Sequence, residues 1–429
     1  MAAVLLQRPV HVPRRGSAWL VFAVVLLVAP WLCGRGAGLS ILSQMAITMI
    51  FALSYNMLLG QSGMLSFGHG VYSGLGGFVV VHAMNLAGTG QLPVPVTLMP
   101  LVGALAGGCF GLLFGLVTTR KSGTTFAMIT LGIVELVHAA AQMFPGFFGG
   151  DGGVSTNRVV GAPVMGISYG PQIEVYYLIA GWLLVSAFAM HALGQTPLGR
   201  MANAVRDNPQ RAAFIGYDAQ WVRLLTLTIS AFFAGIAGGL AAINYEIMTA
   251  ESVGIEASGT ILLFTFIGGA GSFYGPMVGA VVGVLMTVVV AGMSNAWTFY
   301  LGLFFIVMVV WAPGGISGLV LALARTARHG RSRRVWPALA MVSATVLVAV
   351  TGLIGLTEML YHRTFVVGDG NAIRLLGLTV DPSEPTPWLV ATALMAAGAT
   401  ACWHARRPFR VAWDDAQTHV AEALRQETQ

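Results

Sequence analysis

The chain is organised around one stretch, which reads Pro197-Leu-Gly-Arg-Met-Ala-Asn-Ala-Val-Arg-Asp-Asn-Pro-Gln-Arg-Ala-Ala-Phe-Ile-Gly-Tyr-Asp218. It lies between two hydrophobic segments and carries five charged residues, although charged residues make up only 9% of the protein. Asn208 is a favourable helix N-cap, Pro209 suits the first helical position and Gly216 suits a left-handed stop. These signals predict a short helix over residues 209–215.

Residues 194–221, which we call the charged loop, also have an apolar side. Leu198, Ala202 and Val205 fall on one face of a preceding helical turn, with Arg200 and Arg206 on other faces. Two interpretations remain open at this point. The loop either sets membrane orientation through its arginines or docks on a soluble partner.

The composition identifies the class of protein. Of the 429 residues, 56% are hydrophobic, which is typical of a chain that crosses a membrane many times. Apolar runs of about 20 residues recur along most of the sequence, whereas a β-barrel would show alternating segments of about ten residues. We therefore expect an all-α, polytopic membrane helix bundle.

The hydropathy pattern predicts about ten core transmembrane spans and two extra spans near the C-terminus. The predicted spans are residues 18–33, 41–59, 68–84, 94–117, 124–143, 174–192, 222–245, 257–271, 276–293, 297–311, 335–356 and 388–402. The predicted domains are a cytoplasmic N-terminus and first span (1–39), a core with the charged loop (40–320), a basic linker (321–334), an extension with two spans (335–403) and a cytoplasmic tail (404–429) with a short amphipathic helix over 416–424.

Basic residues favour one orientation of this bundle. If both termini are cytoplasmic, 18 of the 22 Lys and Arg residues fall on the cytoplasmic side. The exceptions are Arg35, Arg158, Arg363 and Arg374. This excess agrees with the positive-inside rule and predicts that the charged loop faces the cytoplasm.

The sequence suggests no nucleotide, cofactor or metal site. Its one lysine, Lys121, follows Arg120, so the chain has no Gly-Lys-Ser/Thr phosphate-binding loop. Glu135 and His138 share one predicted helix face, but a di-iron bundle needs two such Glu-x-x-His pairs. The three cysteines are scattered and show no Cys-x-x-Cys pattern. We expect no cofactor, no metal and no catalytic residues.

Two glycine stripes predict close helix packing. In each stripe the glycines recur every four residues and therefore stack on one helix face, which allows another backbone to approach. The glycines are Gly103, Gly107, Gly111 and Gly115 in the fourth span, and Gly275, Gly279 and Gly283 in the ninth.

A few polar residues are candidates for a translocation pathway. Ser66 and His69 lie in a glycine-rich stretch before the third span, where a broken helix either lines a gate or packs small residues closely. Asn56 precedes this stretch. Glu135 is an intramembrane carboxylate, which either binds a substrate's ammonium group or braces the bundle through a neighbouring hydroxyl.

Four separated motifs carry a resemblance to a known family. The charged loop resembles the cytoplasmic coupling loop of ABC-importer permeases of the branched-chain amino acid, LivM-like, family. The matching positions are Gly199, Arg200, Arg206, Asp207, Ala212, Ala213 and Gly216. The other motifs, in the family's order, are Asn56–Gly60 with Leu65–Gly70, Gly268–Ala280 and Pro313–Leu319. The resemblance covers residues 41–319, and residues 326–429 match nothing in the family's pattern.

This resemblance implies a permease subunit of the bacterial inner membrane and not an enzyme. The implied partners are a second, LivH-like permease, cytoplasmic ATPase subunits, a periplasmic binding protein, lipid and a small-molecule substrate, with no nucleic acid. Arg200 and Arg206 would pair with acids of the ATPase, while Ala212, Ala213 and Phe214 would supply apolar contact.

The implied substrates are branched-chain or related hydrophobic amino acids, while related permeases carry urea, amides or aromatic acids. The alternative from another class is a secondary transporter driven by protons through Glu135. A single buried acid and the lack of an evident internal repeat argue against that alternative.

Overall fold

The computed structural model describes residues 15–34, 36–159, 168–328, 332–365, 373–375 and 378–426. The chain is almost entirely helical over these residues, so the all-α class predicted from the sequence is confirmed. The helices are α1 (Arg15–Cys33), α2 (Ala37–Asn56), α3 (His69–Gly88), α4 (Met99–Thr118), α5 (Thr124–Met143), α6 (Gln172–Gln195), α7 (Pro197–Asp207), α8 (Pro209–Phe214), α9 (Ala219–Tyr245), α10 (Ile255–Gly268), α11 (Gly275–Val284), α12 (Trp297–Trp311), α13 (Gly315–Arg328), α14 (Ser332–Phe365) and α15 (Pro385–Gln426).

Short irregular elements complete the fold. Two π-helical turns, Met57–Gln61 and Leu285–Val290, extend α2 and α11. Single turns of helix occupy Val96–Leu98, Pro145–Phe148, Gly150–Gly152 and Ala250–Val253. The strands form two antiparallel pairs, β1 (Val154–Ser155) with β2 (Ile247–Met248) and β3 (Ile373–Leu375) with β4 (Leu378–Val380).

Each predicted span overlaps one apolar helix. Among the described residues, eight helices are long and apolar enough to cross a membrane, or nine if α12 and α13, which meet at a 47° bend, count as one span. Three further apolar helices, α1, α10 and α11, are shorter. A polytopic bundle is therefore confirmed, and the count of twelve spans stays a prediction.

One compact unit of the chain, residues 11–288 and 304–318, is built around α9. This helix packs against α2, α3 and α4. The glycines of α4 lie along it, and a Cβ built on Gly103 would stand 2.6 Å from the carbonyl oxygen of Gly235. Gly115 is similarly close to the Leu224 side chain, at 2.7 Å. Because the two helices approach through backbone atoms, only glycine fits at their contact.

The second glycine stripe lies between α11 and α10. Gly279 faces the carbonyl oxygen of Phe264, and Gly283 faces the ring of the same phenylalanine. Gly275 lies against Gly269, whose φ of +104° is strained for any residue with a side chain. These close contacts join α10 and α11 into a tight helical hairpin.

The other compact unit contains residues 289–303 and the chain from Leu319 onward. Its helices α14 and α15 pack along their length, and Gly352 and Gly398 allow the close approach. The carboxylate of Glu358 accepts hydrogen bonds from the hydroxyls of Ser294 and Tyr300, the latter at 2.9 Å. Both hydrogen bonds to Glu358 thus come from within this unit.

The C-terminal helices differ from the prediction in length. Helix α15 is continuous for 42 residues and includes both the predicted span 388–402 and the separate tail helix predicted over 416–424. Helix α13 covers residues 315–328, of which 321–328 were predicted to be linker. Hydropathy finds where a helix is apolar and not where it ends, because Ala, Arg, Gln and Glu continue a helix into water.

Candidate functional site

The charged loop folds into two short helices, α7 and α8, joined at Asn208. The predicted N-cap is present, since the side-chain oxygen of Asn208 accepts a hydrogen bond of 3.0 Å from the backbone N–H of Arg211. Pro209 occupies the first turn of α8. The start of α8 is therefore set by local sequence.

The predicted left-handed stop is also present. Gly216 has φ +91°, a conformation that glycine adopts without a steric penalty. The N–H of Gly216 donates to Ala213 O at 3.0 Å, and the N–H of Tyr217 donates to Ala212 O at 3.1 Å. This pair of bonds is a Schellman motif, which satisfies the last carbonyls of α8 and ends the helix sharply.

The two loop helices are fixed by a small apolar cluster. Ala202 and Val205 of α7, Ala212 of α8 and Val222 of α9 are all buried against one another. Gly199 is also buried and lies against the backbone of Gly194. Two of the residues matched to the coupling loop, Gly199 and Ala212, therefore support the loop from inside this chain.

The tip of the charged loop exposes apolar side chains. Phe214 is 89% exposed and Ile215 is 67% exposed, although both lie in a charged segment between membrane helices. Arg200, Asp207 and Ala213 are exposed as well. Ile215 was not identified from the sequence, where nothing but its hydrophobicity distinguishes it.

Arg206 joins the charged loop to the end of α2. Its Nη1 donates to the carbonyl oxygen of Gly60, and its Nε donates to Asp207 Oδ1 at 3.0 Å. The aliphatic part of the side chain covers Gly63, where an added Cβ would stand 2.6 Å from Arg206 Cγ. This contact spans 146 positions of sequence and was not anticipated, because the sequence does not show which carbonyl the arginine reaches.

The sequence motifs that lie far apart meet at this end of α2. Asn56 Nδ2 donates to Ser272 O at 3.3 Å, and Ser272 Oγ donates to Ser317 Oγ at 2.9 Å. Ser272 Oγ also accepts from the N–H of Gly275 at 3.0 Å. With Arg206 on Gly60, these bonds connect the Asn56, Gly268 and Pro313 motifs to the charged loop.

The chain beyond the first π-turn is not helical, yet Met64, Ser66 and Gly68 within it are buried. Along residues 63–68 its polar backbone groups bond to hydroxyls: Tyr55 OH donates to Ser66 O at 3.0 Å, and Phe67 N–H donates to Thr130 Oγ1 at 3.1 Å. At the start of α3 the N–H of Gly70 donates to Ser258 Oγ at 2.9 Å. An irregular backbone at membrane depth needs hydrogen-bond partners. Hydroxyl side chains within the apolar spans could therefore have indicated the partners of this segment in the sequence.

Ser66 and His69 are fully buried in this conformation and do not line an open channel. His69 stacks on Phe51 with ring centroids 5.5 Å apart, and its Nε2 lies 2.9 Å from Ser54 Oγ. The Ser54 hydroxyl donates to the carbonyl oxygen of Phe51, so it accepts from His69 Nε2. His69 Nδ1 then carries a lone pair, and no described group donates to it.

Glu135 and His138 have different surroundings. His138 Nδ1 lies 3.1 Å from Ala250 O, and its Nε2 lies 3.3 Å from Gln142 Nε2. Glu135 is exposed on α5, and no described residue forms a hydrogen bond or ion pair with it. In the described part of the chain, no three His, Cys, Asp or Glu side chains come together in a way that would hold a metal ion.

Comparison with known proteins assigns this arrangement to a family. The family described as "Branched-chain amino acid transport system / permease component" matches residues 38–312. Two high-affinity branched-chain amino acid transport system permease proteins LivM, from Escherichia coli K12 and Salmonella typhimurium LT2, are 29% and 28% identical over 320 residues. Each alignment covers 70% of this chain and 74% of the relative.

A more distant relative is the ribose import permease protein RbsC of Haemophilus influenzae, which is 24% identical over 276 residues, 61% of this chain and 80% of that protein. No solved structure matches the chain. The family match covers α2 through α12 and includes the charged loop and the end of α2. The chain therefore belongs to the family of branched-chain amino acid transport system permease components.

Proposed function

We propose that this chain is a membrane permease subunit of a bacterial ABC importer that moves branched-chain or related hydrophobic amino acids from the periplasm to the cytoplasm. A separate cytoplasmic ATPase hydrolyses ATP, a second related permease completes the pathway, and a periplasmic binding protein delivers the substrate. The names of the LivM relatives support the substrate class. The complex lies in the inner membrane with the charged loop and both termini of this chain in the cytoplasm.

The exposed tip of the charged loop carries this proposal. Phe214 and Ile215 project from a helix that is capped at both ends and braced on α9 through Ala212. Large apolar side chains on a rigid polar projection are typical of a protein contact, in which a few buried aromatic residues supply most of the binding energy. In an importer, the partner that would bind this exposed tip is the ATPase.

The contacts of Arg206 suggest how movement passes into the membrane. Closure of the ATPase would shift α7 and α8 as one rigid body, because the cluster around Ala202 and Val222 holds them on α9. Arg206 would pass that shift to Gly60 and thus to the end of α2. There Asn56 connects to Ser272 and the hairpin of α10 and α11. The charged loop is thereby mechanically linked to several spans at once.

Uptake by reconstituted vesicles tests the proposal. The chain is co-purified with its partner permease and ATPase, and ATP-dependent uptake of radiolabelled leucine is compared for the wild type and Phe214→Asp. We expect the variant to lose at least nine-tenths of uptake and to retain less ATPase on purification. The matched control is Gln210→Asp, an exposed polar position on the same helix, which should stay within twofold of the wild type.

The other outcomes distinguish the alternatives. Uptake that needs no ATP and collapses with an uncoupler would replace the importer by a proton-driven transporter. Uptake of ribose, urea, an amide or an aromatic acid in place of leucine would retain the importer and correct its substrate. Equal losses in Phe214→Asp and Gln210→Asp would mean that the apolar tip is not the docking surface.

A further inference from the structure

The exposed face of α5 differs in chemistry from that of its neighbour α4. The outward side chains of α4 are uniformly apolar, as expected against lipid tails: Leu101, Leu105, Cys109, Leu112, Leu113, Leu116 and Val117. The outward positions of α5 are mixed, with small, polar and flexible residues: Thr125, Met128, Gly132, Glu135, Leu136, Ala139, Gln142 and Met143. Only the face of α4 has the composition of a lipid-facing surface.

Glu135 lies near the middle of α5. Glu135 lies eleven positions after Thr124, the first residue of this 20-residue helix. At 1.5 Å per residue, this is about 16 Å along the helix axis. The hydrocarbon core is about 30 Å thick, which places this carboxylate close to its centre. Acids at that depth face a protein or an aqueous cavity, because exposing one to lipid costs several kcal/mol.

Within the described part of the chain, this acid has no partner. No described residue bonds to Glu135, whereas Glu358 in α14 accepts from both Ser294 and Tyr300. Bracing of the bundle, the alternative left open by the sequence, therefore finds no donor within the described chain. A partner for Glu135 at that depth is therefore required from outside the described residues, and a second subunit or a substrate can supply it.

The surface beside Glu135 is not covered by side chains of the described residues at the neighbouring glycine. Gly132, one turn away on α5, has no atom within 4 Å of where its Cβ would be, and Gly259 on the adjacent helix α10 is equally open. His138 holds α5 to Ala250, in the turn that leads into α10. The helix that carries Glu135 thus has an unfilled glycine position one turn away, and its neighbour α10 has another at Gly259.

We propose that Glu135 is the residue of the translocation pathway that recognises the protonated amino group of the passing substrate. This inference rests on the proposed function: the exposed face of α5 and α10 forms one wall of the pathway, and the second permease subunit forms the opposite wall. A carboxylate in a site of low dielectric constant attracts an ammonium group more strongly than it does in water. The ligand class is a small molecule that carries an ammonium group beside an apolar side chain.

The test compares two Glu→Gln substitutions in long apolar helices, in the complete reconstituted complex. Glu135→Gln removes the charge from the unpartnered acid, and Glu358→Gln does so at the acid that Ser294 and Tyr300 already satisfy. The readouts are ATP-dependent leucine uptake, co-purification of the partner permease and thermal stability in detergent. Glu135→Asp is included because it restores the charge on a shorter side chain.

We expect Glu135→Gln to lower leucine uptake at least tenfold with assembly and stability unchanged, Glu135→Asp to recover a substantial part of it, and Glu358→Gln to stay within twofold of the wild type. Uptake by Glu135→Gln within twofold of the wild type would overturn the inference and leave the importer intact. Loss of the partner permease from Glu135→Gln would overturn it in favour of an ion pair between subunits. Failure of the wild type to take up leucine with ATP would instead remove the amino-acid substrate from the proposed function, and the inference with it.

Discussion

At the scale of single residues, the conformation of the charged loop is determined by a few residues, each with a different role. Asn208 starts α8, Gly216 ends it and Phe214 is held out between them. The first two tasks could be predicted, because caps and stops depend on neighbours in sequence. The exposure of Phe214 depends on how Ala212 packs on other helices, which local sequence does not encode.

The cap at Asn208 gives the first prediction. Asn208→Ala removes the acceptor for the N–H of Arg211 and should destabilise α8 by about 1 kcal/mol. We expect faster hydrogen exchange across residues 211–215 and a partial loss of ATP-dependent uptake. Asn208→Asp, which keeps the acceptor, should behave like the wild type, and equal exchange in Asn208→Ala would contradict this role of the cap.

The contact of Arg206 with Gly60 could not be predicted from one sequence. The predicted pairing of Arg206 with an acid of the partner stays a prediction, and the structure adds a bond to a backbone carbonyl far away in sequence. A guanidinium can donate in two directions at once, here to Gly60 and Asp207, and a lysine cannot reproduce that geometry.

The second prediction is therefore an uncoupled variant. Arg206→Lys should retain the ATPase and its basal hydrolysis but lower leucine uptake at least fivefold, because the loop no longer holds the end of α2. Arg211→Lys, an equal change at an exposed arginine of the same loop, should leave uptake within twofold. Parallel loss of hydrolysis and uptake in Arg206→Lys would indicate a docking role instead.

At the scale of elements, the glycine stripe of α4 determines how closely that helix approaches α9. Its four-residue spacing is readable in sequence, but the partner helix is not, because α9 lies more than a hundred residues further on. The spacing indicates that another helix packs on the glycine face of α4. The position of Gly235 opposite Gly103 and Gly107 identifies this helix as α9.

Two adjacent glycines provide the third prediction. A Cβ on Gly107 would stand 2.9 Å from Gly235 Cα, whereas one on Gly108 would meet Phe232 Cβ at an ordinary 3.6 Å. Gly107→Ala should destabilise the bundle by about 1–3 kcal/mol through overpacking. Gly108→Ala should be neutral or slightly stabilising.

Thermal unfolding of the purified chain in detergent measures both substitutions. The expected order of melting temperatures is Gly107→Ala below the wild type, with Gly108→Ala equal to it or above it. A similar melting temperature for all three proteins would mean that α4 and α9 can move apart at little cost.

At the scale of the whole molecule, the apolar segments were predictable because each long run of apolar residues has to be removed from water. The break before α3 was also anticipated from its glycines, but the partners of its backbone were not, because the hydroxyls of Tyr55 and Thr130 lie on other helices. The orientation of the spans in the membrane was inferred only from the distribution of Lys and Arg residues, and it remains a prediction.

The fourth prediction tests that course by cysteine labelling. Single cysteines at Asp207 and Asp414 should react with an impermeant thiol reagent only from the cytoplasmic side, and a cysteine at Glu384 only from the periplasmic side. All three positions lie outside the apolar segments. Labelling of residues 207 and 414 from opposite sides would show that the number of crossings between them is odd.

The length of α15 exceeds what a bilayer requires. Its 42 residues span up to about 63 Å at 1.5 Å per residue, roughly twice the hydrocarbon thickness. Beyond the arginines at 406, 407 and 410, which the predicted orientation places on the cytoplasmic side, the helix continues through residues 411–426 for about 24 Å. A fluorescent reporter fused to the C-terminus would therefore be separated from the basic residues at the membrane surface by a helix of up to that length, whose angle to the membrane sets the reporter's distance from the lipid headgroups.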